Sequence, residues 1–198
     1  MINSKNAPIV GVLLAAGFGR RFGGDKLLHA LPNGEPLALA AAGPLLAGCD
    51  EVVAVLRPAQ TELAGLFVQR RIRVVISSDA ELGMGHSLAA GVGAALDAHG
   101  WVVALADMPY IQAATVAHVV AALRAGASIV MPEYAGQRGH PVGFSHNWGA
   151  QLTELRGVVG ARALLGRFPE SIHQLPVDDP GIVFDIDTPG LAATLPNA

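Results

Sequence analysis

Four short apolar runs, each closed by a turn-forming residue and followed by an Ala/Leu-rich stretch, constrain the fold of this 198-residue chain more than any other feature. Ile9 to Ala15 runs into Gly17, and Glu51 to Arg57 is stopped by Pro58. Ile72 to Ser77 comes next, then Trp101 to Ala106, which Asp107-Met108-Pro109 closes. Runs of this length and composition read as buried strands. Pro36 to Ala47, Ala59 to Val68, His86 to His99 and Gln112 to Ala125 read as helices, and Ser128 to Met131 as a further strand. With 52% hydrophobic and 15% charged residues, the chain suits a sheet covered on both faces. The alternation predicts a three-layer α/β/α sandwich with a mostly parallel sheet. Ligands of such sheets bind beyond the carboxyl ends of the strands. Here the first strand ends in a glycine-rich basic loop and the fourth in Asp107.

The pattern changes after Pro132. Glu133 to Pro141 reads as a polar loop, Val142 to Ser145 as a short strand, and Gln151 to Phe168 as two helical pieces broken at Gly157. Ile172 to Val177 and Ile182 to Ile186 are expected strands around an Asp178-Asp179-Pro180-Gly181 turn. No repeat or linker divides the sequence, so a single domain over 1–198 is expected. The change of pattern divides it into a part over about 9–131 and a part over about 132–198.

A net charge of -3 gives no footprint for nucleic acid or an anionic membrane. The lone Cys49 cannot close an internal disulfide. Met1 to Pro8 lacks a signal-peptide pattern, and no apolar run reaches the ~20 residues of a membrane span. A cytoplasmic protein is expected.

The run from Leu13 through Gly17, Gly19, Arg20, Arg21, Gly23 and Gly24 to Lys26 holds most of the functional information. It is no Walker A loop, because no Gly-Lys-Ser/Thr follows at the right spacing. Phe22 at the third glycine position excludes the dinucleotide fingerprint. Small residues at the strand end let a nucleotide lie against the backbone. Glycines allow turns that aim N–H groups at phosphate oxygens, and Arg20, Arg21 and Lys26 add charge for a polyphosphate. An ordinary Gly-rich turn with solvated arginines is the other reading of the same residues.

The full spacing resembles a family. Leu14-Ala15-Ala16-Gly17, then Gly19, the arginines and Lys26, is similar to the signature loop of the nucleotidyltransferases that build dinucleotide forms of molybdenum cofactor. More distant likenesses are the sugar-nucleotide pyrophosphorylases. Leu82-Gly83-Met84-Gly85-His86-Ser87-Leu88 resembles the family's second nucleotide loop, and Leu105-Ala106-Asp107-Met108-Pro109 its metal-binding strand end. Arg138-Gly139-His140-Pro141-Val142 and Asp185-Ile186-Asp187-Thr188-Pro189 complete an ordered set of motifs that covers nearly the whole chain. The resemblance implies a Rossmann-like, nucleotide-diphospho-sugar transferase-like (GT-A-like) sheet, with a nucleotide-binding half over about 9–131 and an acceptor-side half over about 132–198.

Ala16 after Ala15, where the guanylyltransferases usually carry Gly-Gly, points toward the cytidylyltransferases, as do the Arg138 and Asp185 motifs. The implied reaction is CTP plus molybdenum-loaded molybdopterin giving the cytosine dinucleotide and pyrophosphate. One departure stands out. The cytidylyltransferases tend to carry Gly-Asp-x-Gly-Ala-Arg where this chain has Gly157-Val158-Val159-Gly160-Ala161-Arg162.

Magnesium takes hard oxygen ligands, commonly one or two carboxylates plus phosphates and water. Asp107 and Asp187, far apart in sequence, would supply them if the fold brings them together. Asp185 is a second candidate or a supporting hydrogen bonder. Asp107 also reads as a plain turn residue, and Asp187 as an N-cap for the segment after Thr188-Pro189. Lys26 and Arg20 would hold the β- and γ-phosphates, with Asp107 the third catalytic residue. The nucleotide set is Leu14, Ala15, Ala16, Gly17, Gly19, Asp79, Gly83 and Ser87. In this set Asp79 reads equally as a loop cap, and Ser87 equally as an N-cap. His140 and Arg162 are expected on the acceptor side. A transient contact with a recipient molybdoenzyme or its chaperone is implied. Rival readings are a GTP-dependent molybdopterin guanylyltransferase, a transferase for another phosphorylated acceptor, and a nucleotide-binding accessory protein for cofactor insertion without turnover.

Overall fold

The computed structural model describes residues 7–17, 22 and 25–188. Four strands form the parallel part of one mixed sheet: β1 (Ile9–Leu14), β2 (Glu51–Leu56), β3 (Arg73–Ile76) and β4 (Gly100–Leu105), in the order β3-β2-β1-β4. Beyond β4 lies β7 (Val142–Ser145), antiparallel to it, and then β5 (Ile129–Tyr134), antiparallel to β7. β5 therefore runs with β1–β4, and β8 (Ile172–Pro176) pairs parallel to its far edge. The result is the expected mostly parallel α/β sandwich.

Period-two alternation sorts the strands onto two cores. Ile9, Leu13, Ala54 and Leu56 face α1 (Leu37–Gly48), α2 (Thr61–Gln69) and α4 (Ala113–Arg124). Val10, Val12, Val53 and Val55 face α3 (Met84–Gly93) and α5 (Gly149–Thr153). α3 lies close against the sheet because Gly91 has no side chain, and a Cβ there would stand 2.5 Å from Val12 Cγ1. No helix among the described residues is long and apolar enough to cross a membrane.

Several boundaries differ from expectation, each for a local reason. Glu133 to Pro141 is not all loop. β5 continues to Tyr134 and turns back into β6 (Gln137–Arg138), because Ala135 (φ 49°) and Gly136 (φ 79°) both take the left-handed conformation of a two-residue hairpin turn. The third helix starts at Met84, ahead of His86, and ends at Gly93, well short of His99. Gln151 to Phe168 holds the end of α5 and the whole of α6 (Arg162–Arg167), parted by a longer non-helical stretch in which Gly157 and Gly160 have positive φ.

Ile182 to Ile186 is not a strand. Pro180–Val183 is a 3₁₀ turn and the residues after it are irregular. Asp179 organises this segment. Its buried carboxylate accepts from Gly181 N (3.0 Å), Gln112 N (2.9 Å) and Thr115 Oγ1 (2.6 Å), which fixes the turn to the start of α4. The segment's backbone then serves neighbours instead of a ladder: Ile182 O accepts from His140 N, and Ile186 N donates to Asp107 O.

Candidate active site at the strand ends

The carboxyl ends of β1, β2 and β4 open into a cavity of about 770 Å³, inside the range usual for small-molecule sites. Leu14, Ala16 and Gly17 line it from β1, Arg57 from β2, and Leu105, Ala106 and Asp107 from β4. Gly83, Met84 and Ser87 close it from the start of α3.

At its floor Lys26 joins distant parts of the chain. The residue stands on a 3₁₀ turn (Lys26–Leu28) capped by Asp25, whose Oδ1 accepts from Leu27 N at 3.3 Å. Its side chain is 8% exposed, and Nζ lies 3.0 Å from Asp107 Oδ2 and 3.2 Å from Asp187 Oδ1. The bond from Ile186 N to Asp107 O (3.0 Å) holds the Asp185–Asp187 segment against the end of β4.

Oxygens of Asp107, Asp185 and Asp187 all lie within 4.8 Å of one another. Asp107 Oδ1 is buried and has no hydrogen-bond partner among the described residues. An orphaned carboxylate oxygen is costly. A divalent cation would satisfy it, and the all-oxygen donor set suits a hard ion. The residues therefore fit a metal.

The sequence-predicted residues fall into distinct places. Lys26, Asp107, Asp187, Leu14, Ala16, Gly17, Gly83 and Ser87 all line the one cavity. Ser87 lies inside the first turns of α3 and is buried, so it is not the helix's N-cap. Ala15 lies outside the lining, with its N–H on Val55 O and its carbonyl on Gln60 Nε2. Asp79 is exposed on the 3₁₀ turn Ser78–Leu82 and lines neither cavity. Gly19 and Arg20, with Arg21, lie outside the described residues.

Gly83 has φ 128°, and a Cβ there would collide with the backbone of Gly157. The second loop is thus packed directly against the Gly157 segment, which Gly85 N (to Gly157 O, 2.8 Å) and His86 Nδ1 (from Gly157 N, 3.3 Å) also hold.

A smaller cavity of about 330 Å³ adjoins the first across Leu105, which lines both. Arg138, Gly139, His140, Ile182 and Asp185 line it. Burial lowers the His140 pKa from 6.5, against an opposing pull from the Asp107 carboxylate. Arg162 is exposed at the start of α6 and lines neither cavity.

Sequence reasoning missed Arg57 and Gln60. Arg57 lines the cavity, and its Nη2 reaches Gly17 O at 3.4 Å. Gln60 is 5% exposed; Nε2 donates to Ala15 O (2.9 Å) and Oε1 accepts from Arg57 N (2.8 Å). The position stands out only once the start of α2 is known. Gln60 occupies the N-cap of α2 without making a cap bond, at a position where Ser, Thr, Asp and Asn are preferred.

The chain is similar to known proteins over most of its length. The MobA-like NTP transferase domain matches residues 11–174. The nicotine blue oxidoreductase of Paenarthrobacter nicotinovorans is 32% identical over 189 residues, covering 91% of this chain and 92% of that protein. The purine catabolism protein PucB of Bacillus subtilis is 34% identical over 192 residues, with the same coverage of 91% and 92%. Among solved structures, Rv0371c of Mycobacterium tuberculosis superposes with a TM-score of 0.81 at 28% identity, covering 92% of this chain and 93% of that one. A manganese complex of Rv0371c gives 0.73 at 26% identity, over 86% and 88% of the two chains.

Proposed function

The chain belongs to the family of MobA-like NTP transferase domains, and on that premise we propose that it transfers CMP from CTP to molybdenum-loaded molybdopterin, releasing pyrophosphate. The observation that carries the reading is the Lys26 ammonium held between Asp107 and Asp187 at the floor of the strand-end cavity. The names of two relatives, an oxidoreductase and a purine catabolism protein, mention no nucleotidyl transfer. The proposal therefore rests on the family and on this chain's own site. The choice of CTP rests on the resemblance of the Ala15-Ala16 loop to the cytidylyltransferases.

In this reading the nucleotide lies along Leu14–Gly17 with its phosphates toward Lys26, and the acceptor enters from the side of His140. The acceptor's terminal phosphate oxygen attacks the α-phosphorus in line; the bond to the bridging oxygen breaks and pyrophosphate leaves. The nucleophile is already anionic, so the protein need supply no strong base. Its task is positioning and charge neutralisation. Lys26 offsets charge on the leaving group, and Arg20 is assigned to the same phosphates. A magnesium ion held by Asp107 and Asp187, with Asp185 beside them, would supply Lewis-acid neutralisation of phosphate oxygens. His140, its pKa lowered by burial, is neutral at pH 7 and faces the acceptor without adding charge.

The test is pyrophosphate release with CTP, GTP, ATP or UTP, each with magnesium and with or without molybdenum-loaded molybdopterin. Release that needs CTP and the acceptor is expected. Release that needs GTP instead would assign guanylyl transfer, and nucleotide binding without acceptor-dependent release would reduce the chain to a binding protein.

A further inference from the structure

The main-chain polar groups just past β1 are divided unevenly. Leu14 O accepts from Ala106 N, on the β4 side, and Ala15 N donates to Val55 O, on the β2 side. The next two carbonyls on the β2 side have no strand to pair with, because β2 ends at Leu56. Side chains take them instead: Gln60 Nε2 binds Ala15 O and Arg57 Nη2 reaches Gly17 O. Gln60 itself is fixed, since its Oε1 accepts from Arg57 N.

Successive residues of an extended chain present their amide groups to opposite sides. With residues 15 and 17 turned toward β2, the N–H and C=O of Ala16 turn the other way, toward the cavity that Ala16 lines. Among the described residues neither group of Ala16 has a hydrogen-bond partner. They form one donor and one acceptor, spaced to meet the edge of a nucleobase that offers an adjacent acceptor and donor.

We propose that Gln60 is a positioning residue for base recognition: by acting as a side-chain continuation of β2, it holds Ala15–Gly17 extended so that Ala16 reads the nucleobase. This deepens the reading of the cavity as a nucleotide site and rests on it. Gln60 lies outside the cavity lining, so it acts through Ala15 and Ala16 and not by touching the nucleotide.

Two variants of the full chain test the inference. Gln60→Ala removes both bonds. Gln60→Glu keeps the volume and the acceptor for Arg57 N, but sets a carboxylate oxygen against Ala15 O. Each is titrated with CTP, GTP, ATP and UTP in magnesium by calorimetry, and the amide resonances of Ala15, Ala16 and Gly17 are recorded without nucleotide. Cooperative melting shows that a variant is folded, and Gln60→Glu carries the test if Gln60→Ala melts without cooperativity. Both variants are expected to shift the Ala16 and Gly17 amides. They should also weaken the preferred nucleotide about tenfold, with little change for the others, so that selectivity collapses. A structural role alone would weaken all four nucleotides alike, and that result, or unchanged selectivity in a folded variant, overturns the proposal. If the wild type prefers GTP and the variants lose that preference, the cytidylyl reading fails and the Gln60 inference stands. If the wild type binds no triphosphate, both fail.

Discussion

Replacing Lys26 by alanine separates its structural from its catalytic role, because the two predict opposite changes in different observables. Nζ bridges Asp107 and Asp187 at 3.0 and 3.2 Å, but the two carboxylates are 29% and 46% exposed. Breaking a fully buried pair costs about 3–5 kcal/mol, whereas exposed pairs contribute about 0.2–1 kcal/mol each. With only the lysine end buried, the loss should be about 1–2 kcal/mol. For a domain of 150–250 residues each kcal/mol shifts Tm by roughly 2–4 °C, so the metal-free variant should melt about 2–8 °C lower.

The variant also leaves three carboxylates, with oxygens within 4.8 Å, without their cation. A unit charge about 4 Å away is worth between about 1 and 4 kcal/mol across the range from water to a protein surface. Manganese should therefore bind the nucleotide-free variant about tenfold more tightly than wild type, read from the free-ion signal in electron paramagnetic resonance. Turnover should move the other way. Losing a contact that stabilises the leaving group costs about 2.7–4 kcal/mol, or roughly a hundred- to thousandfold in kcat, measured as pyrophosphate release. Wild-type turnover in Lys26→Ala would refute the catalytic assignment, and weaker manganese binding would refute the view that the ammonium and the metal compete for the same carboxylates.

Asp179→Ala removes the buried acceptor of Gly181 N, Gln112 N and Thr115 Oγ1. At about 1.5–3 kcal/mol per bond to a charged group, partly recovered by water, the loss should be about 3 kcal/mol, which lowers Tm by roughly 6–12 °C; a shift under about 2 °C would contradict the fixing of the Pro180–Val183 turn to the start of α4. Burial, then the neighbouring Asp50, pushes the Cys49 thiol from 9.0 up to about 12. Above about pH 9 the unfolded thiol has lost its proton and the folded one keeps it, so stability falls with rising pH by about 1.4 kcal/mol per unit from this group. Urea denaturation of Cys49→Ala between pH 9 and 11 should lack that slope, and an identical slope would show the thiol to be uninvolved.

The parallel half of the fold was legible because strand, turn and helix signals agree there. Val52 to Leu56 is apolar without a break, Pro58 stops it, and the structure buries all five of those residues. The part after Pro132 was less legible because its chain is set by tertiary partners. Nothing local distinguishes Ile182 to Ile186 from a strand, and the propensity is overridden by a carboxylate at Asp179 bonded to α4, 64 residues earlier at Thr115. The hairpin at Ala135-Gly136 was hidden for another reason: only the glycine announces a left-handed turn, and Ala135 is carried into it by the pairing of Glu133 with Arg138. At the site, charged residues at strand ends were readable as a group. The clamp made by Gln60 was not, because its meaning lies in which carbonyl has lost a strand partner.

The departure at Val158 becomes intelligible in the same terms. The Gly157 segment packs by backbone against Gly83 and Gly85 and donates from Gly157 N to His86 Nδ1, so its place beside the second loop is fixed without the Val158 side chain. Val158 is thereby left 77% exposed while lining the cavity that also holds Asp25, Asp107 and Asp187. An aspartate at that position would add a further negative charge to a cavity proposed to take a triphosphate and an anionic acceptor, and would need a cation or donor of its own. Valine carries no such requirement. Its apolar surface, in a cavity that exposed Met84 also lines, instead suits a ligand that presents an uncharged face there. The substitution thus changes the chemistry of the rim and leaves the Asp107, Asp185 and Asp187 carboxylates untouched.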